Sequence, residues 1–101
     1  MVGNDDCVYG IPHDEGCIVK FDPTNPDTTS TVGEETKGGF NCGNSVLGGD
    51  AYIYAVNMYG QVLKVDTTRN NYTWIGDRIY ARRVWWGEPI VGFDKCIYGH
   101  Q

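Results

Sequence analysis

The chain has 101 residues and a formal net charge of −5, with 41% hydrophobic and 21% charged residues. This length predicts one small domain, and the composition is that of a globular chain. The negative charge argues against nucleic acid and against an anionic membrane surface as partners, because both bind clustered Lys and Arg. No apolar run approaches the roughly 20 residues that span a bilayer, so we expect no membrane segment.

The first predicted strands are Cys7–Tyr9 and Gly16–Phe21, and the second ends at Asp22, ahead of Pro23. The loop between them contains His13-Asp14-Glu15, three potential metal ligands or acid–base groups. Consecutive residues rarely converge on one metal, so a variation on a hairpin turn is the preferred interpretation. Glu34-Glu35 follows, but neighbours on an extended chain point to opposite sides, which disfavours a catalytic carboxylate pair.

Four further strands are predicted in the middle of the chain, each bounded by turn residues. Gly49-Asp50 is a favoured tight-turn pair, and Asp66 can hydrogen-bond to the backbone ahead of it in an Asx turn. A longer connection then leads to another strand at Pro89–Gly92. The four middle strands are Val46–Gly48, Ala51–Val56, Gln61–Val65 and Tyr72–Ile75.

Segments of the chain match one another at a nearly constant spacing. Gly16–Asp22 matches Gly60–Asp66 at an offset of 44, while Cys7–Tyr9 matches Tyr52–Tyr54 at 45. Cys96–Tyr98 matches Tyr52–Tyr54 again, at 44. These matches predict an internal repeat of about 44 residues within a single all-β domain spanning 1–101. The predicted repeats cover roughly 3–47 and 48–91, with a partial third repeat at 92–101.

Both faces of the strand Ala51–Val56 are apolar, since Tyr52, Tyr54 and Val56 alternate with Ala51, Ile53 and Ala55. A sheet with two apolar faces is covered on both sides. Four-stranded sheets that repeat at this spacing and are covered on both faces are typical of β-propeller blades.

The motifs Gly-Gly-Asp-x-x-Ile-Tyr-Ala at 48–55, Gly-x-Val-Leu-Lys-Val-Asp at 60–66 and Trp-Ile-Gly at 74–76 resemble β-propeller repeats. The nearest classes are the kelch, YVTN and pyrroloquinoline-quinone-enzyme-like blades. The resemblance covers nearly the whole chain and implies an all-β, propeller-type fold with about two four-stranded blades. The Gly-His…Trp-Asp signature is missing, which disfavours the WD-repeat class.

Two blades cannot close a ring, because propellers contain about four to eight. We therefore expect the chain to complete a ring by homo-oligomerisation, with copies arranged head to tail. A trimer is slightly favoured over a tetramer. The alternative is that the chain is a fragment of a longer propeller.

The segment Tyr80–Trp86 is the candidate ligand site, with Tyr80, Arg82, Arg83, Trp85 and Trp86 as its residues. Aromatic faces beside Arg hold sugar rings and other flat ligands in many proteins. A competing interpretation, which we favour for the two tryptophans, is packing between adjacent blades.

The four cysteines, Cys7, Cys17, Cys42 and Cys96, include no Cys-x-x-Cys pair, which argues against a zinc ribbon. Their even number permits two disulfides, although free thiols packed in strands are the preferred interpretation. No phosphate-binding glycine loop, Gly-x-Ser-x-Gly elbow or His/Cys ligand set is present. We therefore predict no metal, no cofactor and no catalytic residue.

The sequence favours a non-catalytic binding module whose ligand is a carbohydrate or a protein. The alternative is a subunit or fragment of a propeller enzyme, of hydrolase type, whose acid–base residues come from several blades. Neither the composition nor the motifs support catalysis, so we lean against an enzyme.

Overall fold

A computed structural model describes residues 1–36, 38–77, 90–91 and 96–98. These residues contain no helix, and all pairs of neighbouring strands are antiparallel. The predicted all-β class is confirmed, while the propeller arrangement and the ring stay predictions. The strands are β1 (Val8–Gly10), β2 (Gly16–Phe21), β3 (Thr29–Thr36), β4 (Cys42–Leu47), β5 (Ile53–Asn57), β6 (Val62–Asp66), β7 (Asn71–Ile75), β8 (Ile90–Val91) and β9 (Ile97–Tyr98).

The strands form three sheets in which each strand pairs with its neighbour in the sequence. The N-terminal sheet has the order β1-β2-β3, the central sheet β4-β5-β6-β7 and the C-terminal sheet β8-β9. A single bridge joins Val2 to Val8 at the outer edge of β1. The predicted strands therefore exist, with ends shifted by a few residues.

The turns of the central sheet are closed by side chains that replace missing backbone partners. Asp66 Oδ1 accepts hydrogen bonds from the backbone N–H groups of Thr68 and Arg69, each at 3.0 Å, which confirms the Asx turn. Asn57 Oδ1 accepts from the backbone N–H groups of Tyr59 and Gln61, each at 2.9 Å. Short polar side chains bind the local backbone in this way and so end strands.

Strand β4 begins at Cys42, four residues before the predicted start at Val46. Its first part is Cys-Gly-Asn-Ser, which has no alternation of apolar and polar residues. The register with β5 also shifts between Cys42 and Ser45. An irregularity at a glycine is typical of a β-bulge, and it hides the start of the strand from pattern-based prediction.

One hydrophobic core lies between the N-terminal and central sheets. The N-terminal sheet places Tyr9, Ile18 and Val32 in this core. The facing residues of the central sheet are Ile53, Ala55, Leu63 and Val65, and all seven side chains are buried.

The connection between β3 and β4 adds one aromatic side chain to this core. Phe40 is fully buried, and its ring lies 5.1 Å from that of Tyr72 and 6.1 Å from that of Trp74, measured between centroids. The first contact is edge-to-face, an arrangement that aromatic pairs favour. Phe40 therefore fills the space between the two sheets on the side of β7.

A second contact between the sheets is polar and joins β3 to β7. The backbone N–H of Gly33 donates to the carbonyl of Asn70 at 3.2 Å, and Asn70 Nδ2 donates to the carbonyl of Thr31 at 3.2 Å. The hydroxyl of Tyr72 donates to the carbonyl of Glu34 at 2.9 Å. These three bonds, which we call the β3–β7 seam, fix the outer strands of the two sheets against each other.

Cys7, Cys17 and Cys42 are free thiols, in agreement with the preferred interpretation. Cys7 and Cys42 are buried, whereas Cys96 is exposed. Burial raises the pKa of the Cys42 thiol to about 12, so this thiol stays protonated and unreactive near neutral pH. Within the described part of the chain, no helix is long and apolar enough to cross a membrane.

Candidate interaction surface

The predicted ligand residues Tyr80, Arg82, Arg83, Trp85 and Trp86 lie outside the described residues. Their role in binding stays a prediction. The matching connection of the first repeat is Thr36–Cys42, and it contains the buried Phe40. Phe40 packs between two sheets, which is the role that the competing interpretation gives to the two tryptophans.

The other polar clusters are not gathered into a site. His13 Nδ1 lies 3.4 Å from Asp14 Oδ1 on the surface, and Glu34 and Glu35 are exposed on β3. Among the residues that the structure describes, no group of three or more His, Cys, Asp or Glu side chains is placed to hold a metal ion.

The turn between β4 and β5 is fixed by a hydrogen-bonded unit around Asp50, which we call the Asp–Tyr corner. The hydroxyl of Tyr54 donates to Asp50 Oδ2 at 2.5 Å, and the backbone N–H of Tyr52 donates to Asp50 Oδ1 at 3.2 Å. The backbone N–H of Gly48 donates to the carbonyl of Tyr52 at 2.8 Å. Residue 51 takes a positive φ of 74° inside this corner, although it is alanine.

The N-terminal sheet begins with a corner of the same geometry. The hydroxyl of Tyr9 donates to Asp5 Oδ2 at 2.6 Å, and the backbone N–H of Cys7 donates to Asp5 Oδ1 at 3.1 Å. The N–H of Gly3 donates to the carbonyl of Cys7 at 2.9 Å, and Asp6 has a φ of 63°. Each bond of the Asp50 corner thus has an equivalent here.

The Tyr–Asp hydrogen bond was not predicted from the sequence, where Asp50 was interpreted only as a turn residue. The spacing Gly-x-Asp-x-x-x-Tyr could have revealed it, because it occurs at Gly3–Tyr9, Gly48–Tyr54 and Gly92–Tyr98. A tyrosine four residues after an aspartate returns along the strand to the turn, so its hydroxyl reaches the carboxylate.

The protonation states of Tyr54 and Asp50 are well defined near neutral pH. Burial raises the pKa of Tyr54 to about 12, with further contributions from its hydrogen bond to Asp50 and from the charge of Asp50. Burial alone would raise the pKa of Asp50, but the hydrogen bonds from Tyr54 and from the N–H of Tyr52 bring that pKa below its ordinary value. Near neutral pH the tyrosine is therefore neutral and the aspartate ionised, which suits a structural bond better than proton transfer.

The central sheet presents a second face away from the core, which we call the outer face of the central sheet. It is formed by Tyr52, Tyr54, Val62, Lys64 and Ile75. The rings of Tyr52 and Tyr54 lie 6.4 Å apart in an edge-to-face arrangement. The ammonium of Lys64 lies 4.0 Å from the centroid of the Tyr52 ring, within the range of a cation–π interaction. Ile75 is 46% exposed.

Two cavities open on this face. The larger has a volume of about 560 Å³, and Ile97 of β9 contributes to its lining together with Gly48, Gly49, Asp50, Tyr54 and Val62. The smaller, of about 240 Å³, is lined by Tyr52, Lys64, Asp66, Arg69, Asn71 and Thr73. The face is thus apolar near β9 and polar near the turn between β6 and β7.

The N-terminal sheet also has a face away from the core, which we call the outer face of the N-terminal sheet. Val8 and Val19 lie on it and are 40% and 41% exposed. Phe21, which pairs with Val8, points the same way and is half-buried. The chain therefore exposes apolar residues on the outer face of each of these two sheets.

Comparison of the chain with protein-family models, with curated proteins and with solved structures found no significant match.

Proposed function

We propose that the chain is a non-catalytic interaction module of the β-propeller type, which completes its stack of sheets by head-to-tail association of identical copies. The observation that carries this proposal is the way in which the two large sheets pack. At matching positions of the predicted repeat, the N-terminal sheet and the central sheet turn opposite faces towards the core.

The outer face of the central sheet is built from counterparts of residues that already pack in the core. At matching positions of the predicted repeat, Tyr54 corresponds to Tyr9, Val62 to Ile18 and Ile75 to Val32. Tyr9, Ile18 and Val32 form the core face of the N-terminal sheet. The outer face of the central sheet is therefore suited to the same kind of neighbour that covers the N-terminal sheet.

The outer face of the N-terminal sheet shows the reverse relation. Val8 corresponds to Ile53 and Val19 to Leu63, and these two counterparts are fully buried in the core. The two outer faces of one molecule thus correspond in sequence to the two faces that pack against each other in its core. A second copy that placed its N-terminal sheet on the central sheet of the first would reproduce this contact.

The C-terminal sheet supports this direction of stacking. Ile97 corresponds to Ile53, and it lines a cavity with Tyr54 and Val62. Their counterparts Tyr9 and Ile18 share the core with Ile53. Strand β9 thus begins, on the outer face of the central sheet, the contact that the first two sheets make.

The association is tested by light scattering behind a sizing column on the folded chain. We expect a discrete trimer or tetramer, since three or four copies bring the number of sheets into the range of about four to eight that closes a ring. A well-folded monomer over the whole accessible concentration range would contradict the proposal.

For the ligand, we propose a carbohydrate or a protein held by the connection that contains Arg82, Arg83, Trp85 and Trp86. Binding on a glycan array that is lost in Trp85→Ala or Trp86→Ala, at unchanged far-UV circular dichroism, is the expected result. Hydrolase activity across a generic substrate panel would instead favour the enzyme alternative.

A further inference from the structure

Within the described part of the chain, the N-terminal sheet has no full strand along the outer edge of β1. In the central sheet, β4 runs along β5 from Cys42 to Leu47. In the N-terminal sheet, Met1 and Val2 are the residues of the described part of the chain that pair with β1 at the matching place. Met1 and Tyr9 exchange two backbone hydrogen bonds, of 2.7 and 3.1 Å. Beyond Tyr9, the backbone hydrogen bonds of the described residues provide no partner for Ile11.

A cavity of about 380 Å³ lies at this edge. Tyr9, Gly10 and Ile11 line it on one side, and Cys42, Gly43 and Ser45 of β4 line it on the other. Met1 and Ala55 complete the lining, in which no side chain is charged and three residues are glycine or serine. The N-terminal ammonium of Met1 is the charged group at this edge, and it donates to the carbonyl of Tyr9. Such a lining suits the close approach of another backbone better than it suits an ion or a charged small molecule.

We infer that the edge of β1 is a strand-addition site that is filled by strand β8 of a second copy. This inference rests on the proposed head-to-tail association. Strand β8 is the described strand that corresponds to β4, because Ile90 and Val91 match Val46 and Leu47 at an offset of 44.

The register of β8 fits the edge of β1. Ile90 pairs with Tyr98 and Val91 with Ile97. In the central sheet, Val46 pairs with Tyr54 and Leu47 with Ile53. Tyr9 and Val8 are the counterparts of these two partners on β1. Strand β8 on β1 would therefore place Ile90 opposite Tyr9 and Val91 opposite Val8, in the places of Met1 and Val2.

The exchange is favourable because it replaces two incomplete sheets by one complete sheet. A two-stranded sheet is marginal by itself in water, and β9 offers β8 a single neighbour. Strand β1 offers the same register together with β2 and β3 behind it. Strand β8 and the N-terminal sheet of the next copy then form four strands, in the order that the central sheet has.

The inference is tested by disulfide trapping between two full-length variants, Val8→Cys and Val91→Cys, both made in a Cys17→Ser/Cys96→Ser background. The α-carbons of a non-hydrogen-bonded antiparallel pair lie about 4.5 Å apart, which a disulfide can bridge. We expect a covalent dimer when the two variants are mixed and oxidised, and none from either variant alone. Val19→Cys mixed with Val91→Cys is the matched control, because Val19 lies on the same face but on β2.

A second variant tests the competition with Met1 and Val2. Val2 is 54% exposed, so Val2→Gly weakens the resident segment without opening the core. We expect tighter association of Val2→Gly than of Val2→Ile in light scattering. A discrete oligomer that gives no Val8–Val91 dimer, or that is unchanged in Val2→Gly, would overturn the strand exchange and leave the association standing. A monomer in every experiment would overturn both.

Discussion

At the scale of single residues, the Asp–Tyr corner is the unit that leads into β1 of the N-terminal sheet and into β5 of the central sheet. One aspartate accepts a backbone N–H two residues later and a tyrosine hydroxyl four residues later, both at the Asp5 and at the Asp50 corner. All the groups lie within seven residues of sequence, from Gly3 to Tyr9 and from Gly48 to Tyr54. The corner therefore fixes where a strand begins without needing any distant partner.

The corners make stability depend on pH in a defined direction. The pKa of Asp50 is lowered in the folded chain from the ordinary value of 3.8, so its stabilising contribution is present above that pH and is lost as the pH falls through the folded pKa. The pKa of Tyr54 is raised to about 12, so its contribution is lost as the pH rises from about 10 through 12. We expect urea unfolding to show an acid and an alkaline decline, and Asp50→Asn to flatten the acid one. An Asp50→Asn variant with the acid decline of the unchanged chain would contradict this.

The glycine of the corner is required because the tyrosine ring lies against it. A Cβ at residue 48 would lie 2.8 Å from Cε2 of Tyr54 and 2.8 Å from Oδ1 of Asp50. We expect Gly48→Ala to lower the free energy of unfolding by about 1–3 kcal/mol, the usual cost of overpacking. Gly49→Ala is the control, since a Cβ there meets nothing within 4 Å. Equal unfolding curves for the two variants would show that the corner tolerates the extra group.

At the scale of elements, strands and turns were predictable where local chemistry determines them. Strand β6 was expected at Gln61–Val65 and lies at Val62–Asp66, because its segment is rich in apolar residues and Asp66 closes the turn. The early start of β4 was missed because Cys42–Ser45 has no such apolar pattern. The burial of Phe40 and the β3–β7 seam were also missed, since both depend on residues more than 30 positions away.

The candidate site was less predictable than the fold. Tyr52 and Tyr54 were assigned correctly to one face of their strand, but the pattern could not tell which face would meet the N-terminal sheet. That choice depends on Phe40 and on the seam, which join distant parts of the chain. The predicted ligand residues Tyr80–Trp86 lie outside the described residues, and their role stays a prediction.

The β3–β7 seam requires glycine at residue 33 for two reasons. Its φ is 72°, and a Cβ would lie 2.8 Å from Cδ1 of Tyr72. Gly76 has a similar φ of 81° but open space around it, so Gly76→Ala measures the backbone strain alone, about 1–2 kcal/mol. We expect Gly33→Ala to cost about 1–3 kcal/mol more in the free energy of unfolding. If thermal and urea unfolding give the two variants equal stability, the ring of Tyr72 moves aside without a loss of stability.

At the scale of the whole molecule, the chain presents two different apolar outer faces. Contacts between unlike faces are heterologous, so copies that associated through these faces would join head to tail and would form a ring only if the rotation per copy closes it. The internal contact between the N-terminal and central sheets is the pattern that such an association would repeat.

A charge on one outer face should separate assembly from folding. Val19 is 41% exposed in the single chain, so we expect Val19→Lys to stay folded by circular dichroism and to lose the oligomer in light scattering. Asn25→Lys, which adds the same charge in the exposed turn between β2 and β3, should keep the oligomer. An oligomer that survives Val19→Lys would exclude this face from the contact.

The sheet order carries a consequence for how the chain folds as it is made. Every described strand pairs with the strand before or after it in the sequence, so each sheet can form as soon as its own segment has left the ribosome. Contacts that are local in sequence form quickly, because little loop entropy is lost in closing them. We expect the N-terminal sheet to fold first and to wait, with its core face uncovered, until β7 emerges. During that interval the uncovered core face could associate wrongly with neighbouring nascent chains. We expect chaperones to bind this face most strongly in the same interval.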